Sequence, residues 1–527
     1  MLSGNTSFTG SDVVQSLTPD AVTSSPYETA SVAMALDEEF LIDWLLARQH
    51  RDGSWGGRIP FLADRLLQTM MVTRALMALR HWQPIRAELQ DAIEIGIRFT
   101  ADALNRWEHS ALEECDLAGF ELVVPAHYNG LCREGAKLPE LPSSLSKRWQ
   151  RKLALLPPAL FSNVPPTHIL HAVEAIEALP DGERLTFNLA RAVDPSQLAG
   201  ASPSATAYLL RAGKLEEERA AQFKSTLRKA RGKDHGYCST LPIDSFISLW
   251  KMYYDVCVSY GDKSEYAKAF DALIACHEPT AGIGCNPSFI TDADDTAVAL
   301  FLASKLGRDQ IARVLARSLL VYFYDKHSGF FQTYPFEMTT SITTNAHAIE
   351  ALRTAAPILA QDPDLAANCA SAWRRAARYL LESRLQQDKW HVSPYYLLQS
   401  CVQALQEGSD IEDILLIHRL WHKKKLQQLL DEQHTNGGWG AWGITTCEET
   451  CYALLALLTL VRHNPSQVRI VSAVAKAVSI LQAQYIGQSI EMWIDKTLYQ
   501  PTAILNSLLK TTRAVALSYL HAQGKRI

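Results

Sequence analysis

Gln49-His50-Arg51-Asp52-Gly53-Ser54-Trp55-Gly56 and Gln433-His434-Thr435-Asn436-Gly437-Gly438-Trp439-Gly440 share the pattern Q-x-x-(D/N)-G-(S/G)-W-G. The glycines permit positive φ where a helix must stop and turn. The indole can cover the turn, and the Gln amide can bond exposed backbone groups. Two copies this far apart predict two related helical units. By themselves they predict staples between helices, not chemistry.

Outward from these turns the chain keeps a helical period. Leu66 to Leu79, Asp292 to Leu306, Ile311 to Tyr324, Thr446 to Val461 and Val468 to Gln482 place apolar residues three and four apart. Short breakers separate them: Gly282-Ile283-Gly284, Gly307 and Pro465. Alternating runs are few. The expectation is an all-α protein of helical hairpins in layers, as in an α/α barrel. Its 527 residues are too many for one ordinary core and suggest two to four units at roughly 150 residues each.

Bulk properties exclude several functions. A formal net charge of −5 gives no basic surface for nucleic acid. Lys423-Lys424-Lys425 reads as a solvated helix face. The ten cysteines include no C-x-x-C pair, and Cys447 and Cys451, four apart, read as core thiols. This usage fits a reducing compartment, the cytoplasm. The first thirty residues are Ser/Thr-rich without a signal-peptide apolar run, and no stretch of about 18 apolar residues predicts a spanning helix.

The chemistry concentrates in Asp292-Ala293-Asp294-Asp295, just before the apolar run Thr296-Ala297-Val298-Ala299-Leu300. Capping of a helix N-terminus explains one Asp, even two, but not three. Crowded carboxylates cannot all ionise cheaply, so the cluster keeps a proton. The helix dipole and hydrogen bonds make that proton more acidic. A proton held at neutral pH yet strongly acidic is what an alkene, a very weak base, demands. Asp292 and Asp295 share a helix face and Asp294 points elsewhere, so the middle Asp can donate while the others tune it. The D-x-D-x-D-G calcium spacing is missing, and Val298 stands where a D-D-x-x-D magnesium motif needs an aspartate. No metal ligands are singled out.

The D-x-D-D-T-A segment and the two Q-x-x-(D/N)-G-x-W-G segments resemble class II terpene cyclases of the bacterial copalyl-diphosphate type. So do Ser25–Ala30, Asp64–Thr69, Gly119–Leu122, Ser202–Ala207, Pro242–Phe246, Thr344–His347, Asp388–Tyr396, Glu448–Thr450 and Trp493–Tyr499, in the family's order. The resemblance implies a two-domain βγ fold with the active site between the domains. Residues 1–36 plus 238–527 would form the β domain, and 37–237 an inserted γ domain. It makes Asp294 the general acid, supported by Asp292 and Asp295. Tyr395, Tyr396 and Trp250 are candidates to face the carbocation. Asn345 and His347 are candidates to help end the cascade.

Two departures bear on the substrate. Gly57-Arg58 follows the first W-G where diphosphate-using members usually carry an acid that helps place magnesium, and Cys285 stands where an aromatic is common. Arg58 would instead meet an anion directly, and Arg65 and Lys496 would also engage a head group. Magnesium is expected only if the substrate is a diphosphate; the proton transfer itself needs no cofactor. The expected partner is a hydrophobic isoprenoid. The default reaction converts geranylgeranyl diphosphate to a bicyclic labdane-type diphosphate. The alternatives are a geranylgeranylated aromatic acid giving a fused meroterpenoid and, third, farnesyl diphosphate giving a drimane. A zinc-dependent prenyltransferase subunit and a non-catalytic helical scaffold are the readings from other classes. Oligomeric state is not encoded in these patterns.

Overall fold

The three- and four-residue apolar period is realised as helices almost throughout the computed structural model. The structure describes residues 18–80, 87–107, 117–156, 167–178, 189–190, 192–212, 215–257, 263–383, 388–405, 415–461, 468–483 and 490–524. Pro465 lies outside them.

Helices Asp244–Cys257, Ala293–Lys305, Ile342–Leu359, Pro394–Ala404, Cys447–Leu460 and Thr502–Ala522 pack side by side and close a ring. Helices Asp309–Ser318, Pro363–Glu382 and Val468–Ala483 lie outside it. This is the expected α/α barrel. Its inner helices are apolar on nearly every side because the ring core takes one face and the outer layer the other. Ala293–Lys305 is therefore buried from Thr296 through Ala303.

A second, smaller ring forms from Pro26–Leu36, Leu62–Leu79, Phe120–Arg133, the 3₁₀ turn Val173–Ala178 and Pro203–Ala212. Pro26–Leu36 corrects the sequence expectation, which put residues 1–36 with the other unit. Tyr27, Ala30, Val32 and Ala33 are buried in this smaller ring, and Glu28 accepts hydrogen bonds from Ser204. A buried carboxylate without such partners would be costly, so this contact fixes where the helix belongs.

The repeated turns are wired alike. Gln49 Nε2 donates to Gly53 O and Ala92 O, both at 3.0 Å. Gln433 Nε2 donates to Gly437 O at 2.7 Å and Ala473 O at 2.9 Å. The Trp55 and Trp439 indoles donate to Leu45 O and Leu429 O. Gly53 and Gly437 have φ of 88° and 100°, as the turn requires.

The expected helix to Tyr324 ends earlier. Asp309–Ser318 is α-helical, Leu319–Phe323 widens into a π turn, and Tyr324 enters a two-stranded ribbon with Phe330–Phe331. The other ribbon pairs Trp493 with Tyr499 and Ile494 with Leu498. Among the described residues, no helix is long and apolar enough to cross a membrane.

Candidate active site

The acidic motif opens the Ala293–Lys305 helix at one end of the larger ring. Asp292 is its N-cap, with extended backbone, and its Oδ1 accepts from Asp295 N at 2.8 Å. Its Oδ2 accepts from Tyr334 OH at 3.2 Å. Thr296 fastens the approach: its Oγ1 accepts from Ile283 N at 2.9 Å and donates to Asp292 O at 2.5 Å. Gly282, at φ 103°, leaves room for that Thr296 hydroxyl, which a Cβ would meet at 2.8 Å.

The three carboxyls separate as their spacing predicts. Asp292 and Asp295 are buried, whereas Asp294 keeps 15% of its side chain exposed. Burial pushes Asp292 up to about 8, with the Asp294 charge adding to it and hydrogen bonds from the Asp295 N–H and Tyr334 opposing it. Burial also raises Asp295 far above the carboxylate range, reinforced by Asp292 and Asp294. Asp295 Oδ1 has no hydrogen-bond partner among the described residues. At neutral pH the cluster therefore holds protons.

Asp294 Oδ1 lies 2.6 Å from His347 Nδ1. The other ring nitrogen, Nε2, is 3.2 Å from Ser400 Oγ, whose own proton points to Tyr396 O at 3.0 Å. With its proton so committed, Ser400 accepts from Nε2–H, which leaves Nδ1 for exchange with Asp294. Burial acts to lower the His347 pKa, but the Asp294 charge and hydrogen bond outweigh it and the net shift is upward. The ring stands edge-on to Trp250, centroids 4.8 Å apart.

All three aspartates line a cavity between the two rings. Both rings contribute walls. Phe246, Phe289, Tyr334, Trp390, Tyr396, Trp493 and Tyr499 supply aromatic surface, and Lys152, His168, Lys389 and Asp495 supply polar groups. Aromatic faces stabilise a passing cation without capturing it as a nucleophile would. Lys152 pairs with Glu121 at 3.3 Å, and Lys389 with Glu337 at 2.8 Å.

Of the residues expected to bind substrate, Tyr396 lines this cavity. Trp250 stands one layer behind, against His347. The rest are elsewhere, each for a physical reason. Tyr395, next along the same helix, turns outward to Glu432. Asn345 clips the ribbon, accepting from Phe331 N at 2.8 Å and donating to Phe331 O at 2.9 Å. Lys496 is sealed between the rings, 3.2 Å from Glu28 and 3.1 Å from Glu174. Arg65 stiffens the first repeated turn, donating to Ser54 Oγ at 2.6 Å and Arg58 O at 3.2 Å. Arg58 itself is exposed, and its backbone N donates to Glu491 at 3.2 Å. Tyr334, His168 and Lys152 went unforeseen. Lys389, Trp390, Trp493 and Tyr499 lay inside matched stretches without being singled out. Among the described residues, no group of three or more His, Cys, Asp or Glu side chains could hold a metal ion, so the zinc reading finds no ligand set.

An acidic cluster with a histidine partner thus lies on the wall of an aromatic cavity between two helical rings, an arrangement suited to protonating an apolar substrate. Sequence relatives agree. A copalyl diphosphate synthase of Streptomyces cyslabdanicus is 29% identical over 92% of this chain and 90% of its own. A type B diterpene cyclase of Mycobacterium tuberculosis is 27% identical over 94% and 96%. The solved ent-copalyl diphosphate synthase from Streptomyces platensis has the same fold, with a TM-score of 0.71 at 24% identity over 95% and 96% of the two chains. No protein-family profile matches the chain. Over nearly its whole length the chain is thus similar to diterpene cyclases of the copalyl diphosphate synthase kind.

Proposed function

We propose that this enzyme cyclises geranylgeranyl diphosphate to a bicyclic labdane-type diphosphate. The observation that carries this reading is Asp294: of the three carboxyls on the cavity wall it is the one that is only partly buried, and it is backed by His347. Asp294 gives its proton to the terminal double bond. The resulting tertiary cation is attacked by the next double bond and then by a third, closing two rings, and a proton is lost to form the product alkene. Asp292 and Asp295, held neutral, add no charge that would keep the Asp294 proton back. The aromatic walls exclude water and hold the chain folded. The relatives named as diphosphate synthases support the head group, and Lys152 and Lys389 are the ammonium groups on the wall that would meet it.

Among the described residues, the donors near the cavity do not suit a magnesium held by the protein. Asp52, in the first repeated turn, is taken by Ser54 at 2.6 Å and faces Arg65. Glu121 and Glu337 are taken by lysines. We place the reaction in the cytoplasm, on the cysteine usage of the sequence.

The test is incubation with geranylgeranyl diphosphate, farnesyl diphosphate and a geranylgeranylated dihydroxybenzoate, with mass analysis of products. A bicyclic C20 diphosphate from the first is expected. Turnover of the aromatic acid alone would replace the substrate assignment. No cyclised product from any of them, or full activity in Asp294→Asn, would overturn the general-acid reading.

A further inference from the structure

A cyclisation that starts by adding a proton and ends in an alkene must remove a proton elsewhere. The two groups that sequence suggested for this are occupied. Asn345 is spent on the ribbon, and His347 is spent on Asp294. His171, also on the cavity wall, is bonded through Nδ1 to Gly200 O at 2.8 Å and faces Asp495 at 3.2 Å through Nε2.

His168 is different. Both of its ring nitrogens are buried, and among the described residues neither has a hydrogen-bond partner. Buried polar atoms of this kind are rare and call for a cause. The ring lines the cavity and lies parallel to Tyr334, planes 9° apart and centroids 6.0 Å apart. Tyr334 in turn reaches Asp292 through its hydroxyl. One aromatic residue thus separates His168 from the acidic cluster. The short Thr167–Leu170 turn that carries it is pinned by Ile290 N, which donates to Thr167 Oγ1 at 2.6 Å. Ile290 lies just ahead of Asp292, so the two sites are held in register.

We propose that His168 is the base that ends the cascade, taking a proton from carbon at a point along the folded chain away from the one Asp294 protonated. The C–H bond beside the final cationic carbon breaks. Its electron pair becomes the new double bond, and the proton passes to a free imidazole nitrogen. The imidazolium releases it to water once product leaves, so one proton enters and one departs per turnover. The groups around the ring keep it ready to accept. Burial lowers His168 to about 4, with the charges of Lys152 and His171 adding to the effect, so it is neutral at ordinary pH. Tyr334 faces it as a neutral phenol, its own ionisation suppressed by burial and by Asp292.

This rests on the cyclase reading, and the experiment separates the two. His168→Phe keeps a ring against Tyr334 and removes both nitrogens. His168→Gln is the second variant should the first fail to fold, with thermal melting as the check. Both are compared with wild type on geranylgeranyl diphosphate. The expected result is a kcat lower by about 10²-fold, with residual product carrying a hydroxyl from water or a double bond at another carbon. Wild-type product at wild-type kcat from a folded variant overturns the assignment while leaving the cyclase reading intact. A wild-type enzyme that cyclises nothing brings down both.

Discussion

Two clusters of buried acids sit close to the cavity, and they have opposite fates. At the junction of the rings, Glu28 and Glu174 meet Lys496 at 3.2 and 3.1 Å, and Ser202 and Ser204 bond the same ammonium. At the head of the Ala293–Lys305 helix stand three carboxyls, of which Asp294 bonds a histidine. Both clusters are buried and both are rich in hydrogen bonds. The first has a fixed cation among its acids and acts as a clamp. The second has too few positive charges, so it holds protons instead. Burial alone makes neither reactive; the shortage of counter-charge does.

The sharpest way to break this contrast is Lys496→Met. It leaves Glu28 and Glu174 buried without their cation, and a loss of about 3–5 kcal/mol of stability is expected. Chemical denaturation measures it, and unchanged stability would show that the clamp is not one. Asp294→Asn should do the reverse: turnover falls by roughly 10²–10⁴-fold while the melting temperature stays near wild type. His347→Phe keeps the ring volume and strips Asp294 of its partner. Turnover should fall by about 10²-fold, at the lower end of what a positioned acid or base contributes. Its pH–rate profile should also shift, which repacking alone would not cause.

The smallest effect concerns pH and stability. Asp292 titrates near 8 in the fold against an ordinary 3.8. The folded state thus keeps a proton that the unfolded chain releases, and this contribution is full at low pH and lost as pH rises through 8. Asp292→Asn still caps the helix. Its stability should therefore fall less steeply than that of wild type between roughly pH 5 and pH 8, as denaturation at a series of pH values would show.

Much of this was legible in the sequence. The acidic motif could be placed at a helix start because Thr296–Leu300 is apolar at helical spacing, and the Asp292–Asp295 pairing follows from the same geometry. The repeated turns announced two helical units. The head-group residues were less legible. Arg65 and Lys496 look like free cations in one dimension, and only the fold reveals that Ser54, across the turn, and Glu28, distant in sequence, have claimed them. His168 and Tyr334 carry no local signal, since each sits in an irregular stretch and their stacking brings together residues from different rings. Tyr395 and Tyr396 are adjacent in sequence, yet a helix turns neighbours about 100° apart, and only one of them can see the cavity.

The short hairpin from Trp493 to Tyr499 serves both rings at once. Trp493, Asp495 and Tyr499 line the reaction cavity, while Lys496 between them bolts the rings together and Leu498 N donates to Asp64 at 2.8 Å across the same junction. A chain whose two halves have not docked cannot have these walls in place. A carbocation born in a half-built vessel would meet water or attack the protein itself. The hairpin acts as an interlock: the door must be latched before the spark can be struck.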